Sequence, residues 1–148
     1  YMLTLMKLGR YTDAIKQGEE LIKLNGNDNQ GVRYLLLGLY TILERFDDTE
    51  ALYKKYGGGS TFMLLPMAIM YYKKGDYSKS KKILKNLKEN NEFLMDFLVG
   101  TRKFTRAKIN RFEEEGGYNL GSEAEAYFVI KDLEYLIASV PSFSEFIN

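Results

Sequence analysis

A repeated segment constrains this chain more than any other feature of its sequence. The stretch "KLGRYTDA" (7–14) aligns with "ILERFDDT" (42–49) and with "YKKGDYSKS" (72–80). Each copy has an aromatic residue, a small residue three positions later and a bulky residue ten positions later: Tyr11, Ala14 and Leu21; Phe46, Thr49 and Tyr56; Tyr77, Ser80 and Leu87. Segments that recur in this way predict a stack of similar structural units.

Each unit is predicted to be a pair of α-helices. Apolar residues recur three and four positions apart, as in "TDAIKQGEELIKL", strand-like alternation is scarce, and the chain has only two prolines. Helices are expected to end at Gly9, Gly26, Gly57 and Gly75. Side chains that can cap helix N-termini occur at Thr12 or Asp13, Asn27 or Asp28, Asp47, Ser60, Asp76 and Ser122. We therefore predict helices of about 12 to 17 residues joined by short turns.

This pattern resembles a degenerate tetratricopeptide repeat (TPR), in which a glycine ends the first helix and an aromatic residue follows two positions later. Gly38 and Ala68 occupy the small position in the middle of the first helix, whereas Glu44 stands where the turn glycine belongs. The resemblance implies an all-α fold, a right-handed TPR-like array of antiparallel helical hairpins with a C-terminal capping helix. An array of ordinary helical hairpins with accidental similarity is the alternative.

A second resemblance begins at "NGNDNQGVRYLLLGLY" (25–40). This segment is similar to uncharacterised bacterial TPR-like regions that accompany SEC-C-type zinc tails. Three later segments fit the same pattern in order: "EALYKKY" (50–56), "LKENNEFLMDFLVG" (87–100) and "GSEAEAYFVIKDLEYLIASVPSFSEFI" (121–147). The chain has no cysteine, so it contains no SEC-C metal ligands. The resemblance implies the fold and brings no reaction with it.

A length of 148 residues suits a single domain with a real core. We predict one TPR-like domain over residues 1–148, with hairpins at roughly 1–25, 28–56 and 60–90 and a C-terminal cap at 91–148. Within the cap, a longer helix is expected to start at Ser122 and a short one near Ser142, after Pro141. Helix-like sequence already runs at Tyr1, so we expect a piece of a longer protein.

The composition argues against catalysis. The chain has neither cysteine nor histidine, which excludes thiolate nucleophiles, imidazole bases and zinc sites built on those side chains. The glycine-rich "YGGGS" (56–60) lacks the strand and lysine of a phosphate loop, and the carboxylates at 47–50 and 113–115 lack calcium-loop spacing. We predict no catalytic residues, no cofactor and no metal site. We also predict a cytoplasmic protein, since the absence of cysteine is compatible with a reducing compartment. No membrane partner is expected, because no apolar run is long enough to span a bilayer.

The favoured function is a non-enzymatic scaffold that binds another protein or a peptide. In a TPR-like array the first helix of each hairpin lines a concave groove, whose aromatic and basic side chains contact the peptide. The register of the repeat assigns the following residues to that groove: Arg33, Tyr34, Thr41, Phe62, Tyr72 and Lys73. The alternative is that Phe62, together with Leu65 and Ile69, belongs to the core.

A second hypothesis uses the uneven distribution of charge. Residues 73–112 carry twelve basic and four acidic side chains, a balance of +8, whereas residues 113–148 carry one basic and eight acidic, a balance of −7. A nucleic-acid-associated helical module would use segment 79–111, with Phe104 available to stack on bases. Its basic patch comprises Lys81, Lys85, Lys88, Arg102, Lys103, Arg106, Lys108 and Arg111. The competing interpretation is an ordinary solvated face, with the acidic end of the chain packed near the basic middle.

Overall fold

A computed structural model describes residues 1–27 and 31–148, and this part of the chain contains helices and no strand. The all-α prediction is therefore confirmed for the described residues. The helices are α1 (Met2–Lys7), α2 (Tyr11–Leu24), α3 (Val32–Ile42), α4 (Phe46–Tyr56), α5 (Thr61–Lys74), α6 (Tyr77–Asn90), α7 (Leu94–Val99), α8 (Arg106–Glu115), α9 (Glu123–Asp132), α10 (Glu134–Ser139) and α11 (Phe143–Ile147).

The first six helices form three consecutive pairs, α1 with α2, α3 with α4, and α5 with α6. In every pair the second helix begins at the repeated aromatic residue, at Tyr11, Phe46 or Tyr77. The residue before that aromatic donates its backbone N–H to a carbonyl five positions earlier. These bonds run from Arg10 to Leu5 (2.9 Å), from Arg45 to Tyr40 (2.8 Å) and from Asp76 to Tyr71 (2.9 Å). The repeat in the sequence is thus also a repeat of turn geometry.

The small residues of the repeat let the helices approach closely. Ala14, Thr49 and Ser80 are all fully buried. The Ser80 hydroxyl donates to the carbonyl of Ala68 on α5 over 2.8 Å, so α6 lies directly against its partner helix. A larger side chain at Ser80 would separate the two helices, which explains why the pattern requires a small residue there.

A second repeated contact joins one pair to the next. Tyr40 on α3 donates its hydroxyl to Glu19 on α2 (2.7 Å), and Tyr71 on α5 donates to Glu50 on α4 (3.2 Å). In both cases the tyrosine lies 21 positions after its acceptor. Burial and the neighbouring Glu19 carboxylate raise the pKa of Tyr40 above its ordinary value, which keeps it a hydrogen-bond donor.

The C-terminal helices pack against the first helices of the pairs, α3 and α5, and so do more than cover the end of the stack. The long helix expected from Ser122 is divided at Leu133 into α9 and α10, and α11 follows Pro141 as predicted. Tyr135 on α10 donates its hydroxyl to the Leu35 carbonyl of α3 over 3.2 Å. A Cβ on Gly38 would lie 2.1 Å from the same hydroxyl oxygen. The glycine therefore lets α10 pack against α3.

A buried carboxylate holds α9 in place. Glu125 is only 3% exposed. One of its oxygens accepts hydrogen bonds from the Thr61 hydroxyl (3.2 Å), the Asn91 side-chain amide (3.0 Å) and the Gly121 backbone N–H (3.2 Å). The start of α5, the end of α6 and the start of α9 consequently meet at one charged acceptor, whose burial is offset by these three donors.

The predicted helix caps are partly right. Asp76 and Ser122 are N-caps whose side chains accept a backbone N–H, and Ser60 is an N-cap without such a bond. The predictions at Thr12 or Asp13 and at Asp47 were wrong. The N-caps there are Arg10 and Arg45, whose guanidinium groups pair with Asp13 and Asp48 of the first turn, both at 2.8 Å.

The cap predicted before α3 was also wrong for Asn27. Gly31 is the N-cap, with φ of 69° in the left-handed region that favours glycine. The alternative cap, Asp28, lies outside the described residues. The helix ends predicted at Gly57 and Gly75 are C-caps, whereas Gly9 and Gly26 each follow the C-cap residue by one position.

Candidate functional site

An open groove of about 1060 Å³ runs between the first helices of the pairs and the C-terminal helices. One wall comes from α1, α3 and the start of α5, and it presents Leu3, Met6, Lys7, Tyr34, Leu35 and Phe62. The other wall comes from the loop before α9 and from α9 and α10. Its side chains include Tyr118, Phe128, Lys131, Asp132, Glu134 and Tyr135. Most of the lining is apolar, which is typical of a surface that binds organic side chains.

Four aromatic rings form a continuous row across the groove. The Tyr34 and Phe62 ring centroids lie 5.4 Å apart, those of Phe62 and Tyr118 6.1 Å, and those of Tyr118 and Phe128 5.7 Å. All four rings line the groove. The row therefore connects the two walls and forms a rigid apolar surface, since aromatic pairs at these distances stabilise one another.

The structure brings together part of the predicted peptide groove. Tyr34 and Phe62, two of the residues that the register of the repeat assigns to a peptide groove, line this groove. Arg33 lies beside them, with its guanidinium 4.6 Å from the Tyr34 ring centroid and 5.3 Å from that of Tyr56. Arg33 also donates to the Tyr34 hydroxyl over 3.0 Å, which fixes the tyrosine at the edge of the groove.

Three other predicted groove residues do not line it. Thr41 is fully buried and donates its hydroxyl to the Leu37 carbonyl, so it has no surface to offer a peptide. The Lys73 ammonium donates to the carbonyls of Thr41 (3.0 Å) and Ile42 (3.1 Å) at the C-terminal end of α3. Lys73 thus satisfies the free carbonyls of that helix end instead of meeting a ligand.

Tyr72 is covered by the chain itself. Its hydroxyl lies 2.7 Å from the Ser142 oxygen, and its ring centroid lies 5.3 Å from that of Phe143 and 4.7 Å from that of Phe146. The prediction for Tyr72 failed because the covering helix, α11, lies about seventy positions further along the chain. Leu65 and Ile69 are fully buried, so the core interpretation holds for these two but not for Phe62.

The second wall of the groove is not predicted by the local sequence. Tyr118 is 42% exposed and lies in the loop "GGYNLGS" (116–122) between α8 and α9. An aromatic residue in a glycine-rich loop is the one local signal for this wall. Phe128 and Tyr135 belong to helices whose apolar pattern reads as ordinary core. Their position opposite Tyr34 depends on how α9 and α10 pack, which the local sequence does not encode.

The charged residues of the groove differ between its walls. Lys7 belongs to the first wall, whereas Lys131, Asp132 and Glu134 belong to the second. The Lys131 ammonium lies 2.5 Å from the carboxylate of Glu113, a residue outside the groove lining. This ion pair and the hydrogen bond from the Tyr127 hydroxyl together lower the pKa of Glu113. Partial removal of water by its surroundings raises the pKa of Asp132, although Lys131 acts in the opposite direction.

Three residues of the predicted basic patch contact other parts of the chain, and five are exposed without an ion pair among the described residues. The Lys81 ammonium donates to the Phe146 carbonyl (2.8 Å), Lys108 pairs with Glu123 (2.8 Å), and Arg102 lies 3.9 Å from Asp96. The Lys108 pair joins the basic middle to the acidic end of the chain, in agreement with the interpretation of the uneven charge as internal packing. The other predicted residues are exposed: Lys85, Lys88, Lys103, Arg106 and Arg111.

Phe104 is not available as a stacking platform. Its ring lies parallel to that of Phe97 with centroids 3.7 Å apart, and it meets the Tyr127 ring edge-on at 5.3 Å. The basic segment therefore lacks the free aromatic face that single-strand binding would use. What remains of this surface is a set of lysines and arginines on α6, on α8 and in the loop before α8.

Comparisons of the chain with protein-family models, with curated proteins and with solved structures gave no match. Within residues 1–27 and 31–148, no helix is both long and apolar enough to cross a membrane. The same residues contain no group of three or more acidic side chains arranged to hold a metal ion. The groove is accordingly the feature on which a functional proposal can be built.

Proposed function

We propose that this chain is a non-enzymatic module that binds a protein or peptide segment in its aromatic groove, and that its helix pairs form a right-handed TPR-like array. The observation that carries the proposal is the open groove of about 1060 Å³ with its row of four rings. Large rigid side chains in a concave surface are the usual energetic centre of a protein interface.

The dimensions of the groove favour a short segment over a large flat partner. The volume of the groove is at the upper end of the range for small-molecule sites. A groove of this size accommodates a few side chains of a peptide. The groove is open rather than enclosed, so a peptide backbone can lie along it while one or two side chains enter. Rings that already contact one another lose little conformational entropy on binding.

A selection from a library of random dodecapeptides displayed on phage tests the proposal. The full chain is the bait, and the strongest peptide is labelled with fluorescein for anisotropy titrations. Two leucine variants are compared with the wild type. Leu3→Asp alters a groove residue that is 57% exposed, and Leu24→Asp makes the same change at a residue that is 85% exposed and outside the lining. Neither leucine belongs to the core.

We expect Leu3→Asp to weaken binding by about tenfold, because it places a carboxylate where the bound peptide would bury an apolar side chain. Leu24→Asp should leave the affinity within about twofold of the wild type, since Leu24 does not contact the groove. A selection that yields no peptide, or peptides whose affinity both variants leave unchanged, would show that the groove is not a peptide-binding surface.

A further inference from the structure

The carboxylate of Asp132 has no hydrogen-bond or ion-pair partner within residues 1–27 and 31–148. It belongs to the last residue of α9 and lines the groove. The adjacent Lys131 does not neutralise it by direct contact, because the Lys131 ammonium is engaged 2.5 Å from Glu113. Asp132 retains an exposed surface and can still reach a ligand.

Aromatic side chains line the same groove as this carboxylate. Burial and then the charge of Asp132 raise the pKa of Tyr135. The pKa of Tyr118 is raised by burial, then by Glu125 and Tyr34, and to a smaller extent by Asp132. Both tyrosines line the groove, together with Phe128 and Phe62. The faces of such rings carry negative electrostatic potential and attract cations, and they withhold part of the water that Asp132 would otherwise bind.

A second acidic group strengthens the preference for a cation at this wall, where the one basic residue among the described lining residues, Lys131, pairs with Glu113. Glu134 lines the same wall two positions after Asp132 and is exposed. Lys7, on the opposite wall, makes no ion pair with either acid among the described residues, so it leaves their charge available. An acidic ligand group here would meet like charges and π faces, which is an unfavourable arrangement at short range.

We infer that the groove takes an arginine side chain of the bound peptide, with its guanidinium against the Asp132 carboxylate and its plane over the neighbouring rings. This inference rests on the proposed peptide-binding function and names the chemistry of its occupant. Arginine fits better than a compact ammonium because its planar group stacks on aromatic faces and bonds a carboxylate through two N–H groups. The flanking peptide side chains are apolar, since they contact Leu3, Met6 and the ring row.

The test uses the peptides from the phage selection against the full chain. The strongest arginine-containing dodecapeptide is synthesised twice with a fluorescein label, once with arginine and once with citrulline, which keeps the shape and removes the charge. Both are titrated against wild-type protein, Asp132→Asn and Glu145→Gln. The last variant removes one carboxylate from an exposed residue of α11 outside the groove lining.

We expect citrulline to weaken binding to the wild type and to Glu145→Gln by about tenfold. Asp132→Asn should bind both peptides with about the affinity that the wild type has for the citrulline peptide. The difference between arginine and citrulline therefore disappears in this variant. Groove-dependent peptides without enrichment of arginine, or equal binding of the two forms by the wild type, would overturn the inference while leaving the proposed function intact. A selection without groove-dependent peptides would overturn both.

Discussion

At the scale of single residues, Glu44 shows what the repeat demands of the backbone. It is the one non-glycine residue with positive φ among the described residues, at 59°, and it occupies the turn position that Gly9 and Gly75 hold in the other pairs. The left-handed conformation costs an ordinary residue about 1 to 2 kcal/mol. The departure from the TPR pattern noted in the sequence is therefore a site of local strain and not a change of turn.

Replacing Glu44 with glycine should stabilise the chain. Relief of the left-handed conformation is partly offset by the greater flexibility of glycine in the unfolded chain, so we expect a gain of about 0.5 to 1 kcal/mol. The free energy of unfolding from urea titrations measures it. Glu44→Ala is the control, because it removes the weak 3.7 Å ion pair with Lys73 but keeps the side-chain Cβ. Equal stability of the two variants would contradict the assignment of strain.

We expect the Asp132 carboxylate, proposed above to bind the peptide, to lower the stability of the folded chain at neutral pH. Its pKa in the folded chain is raised by loss of water, so the charged form is disfavoured by folding and the stability cost is present at neutral pH. Asp132→Asn should therefore raise the melting temperature at pH 7. The gain should begin to shrink as the pH falls below the folded-state pKa of Asp132, and it should vanish below the lower unfolded-state pKa, where the wild-type carboxyl is neutral in both states. A variant that is less stable than the wild type at pH 7 would contradict this account.

At the scale of secondary-structure elements, the contact between α10 and α3 determines whether the groove has a second wall. Tyr135 approaches the backbone of α3 at Gly38, where any side chain would occupy the position of the tyrosine hydroxyl. Burial raises the pKa of Tyr135, so its hydroxyl remains a donor to the Leu35 carbonyl throughout the neutral range. The pairing of one glycine with one tyrosine therefore sets the distance between the two walls.

Gly38→Ala should destabilise the chain although alanine favours helices. The new Cβ would lie 2.1 Å from the Tyr135 oxygen, and displacement of α10 should cost about 1 to 3 kcal/mol. Thermal and urea unfolding measure the loss. The double variant Gly38→Ala with Tyr135→Phe removes the closest atom and should recover part of the stability. Full additivity of the two single changes would show that the residues do not meet.

The hairpins could be predicted from the sequence because their signals are local. A turn residue (Gly9, Glu44 or Gly75), an aromatic residue and a small residue recur within eight positions in each pair. The C-terminal wall could not be predicted in this way. The bond from Tyr135 to Leu35 spans 100 positions, and nothing near either residue indicates the other. The register of the repeat assigns Tyr34, Phe62 and Tyr72 to one groove. The first two line the groove of the structure, whereas α11 covers Tyr72.

At the scale of the whole molecule, the C-terminal helices add a second wall to the stack of helix pairs and so form the groove. They cover Tyr72 at one end, leave Tyr34 and Phe62 open at the other, and add Tyr118 and Asp132 opposite them. The basic residues of α6 and α8 lie outside this groove. The two functional hypotheses consequently place ligand contacts on different residues, which allows one experiment to separate them.

The most direct test of the groove is a nuclear magnetic resonance titration of the 15N-labelled chain with the strongest dodecapeptide from the selection. The account predicts that the largest chemical-shift changes fall on the residues of the two walls, among them Leu3, Leu35, Phe62, Phe128 and Ala138. Changes concentrated instead at Lys85, Lys88 and Arg106, with the groove residues unaffected, would contradict it and move binding to the basic surface.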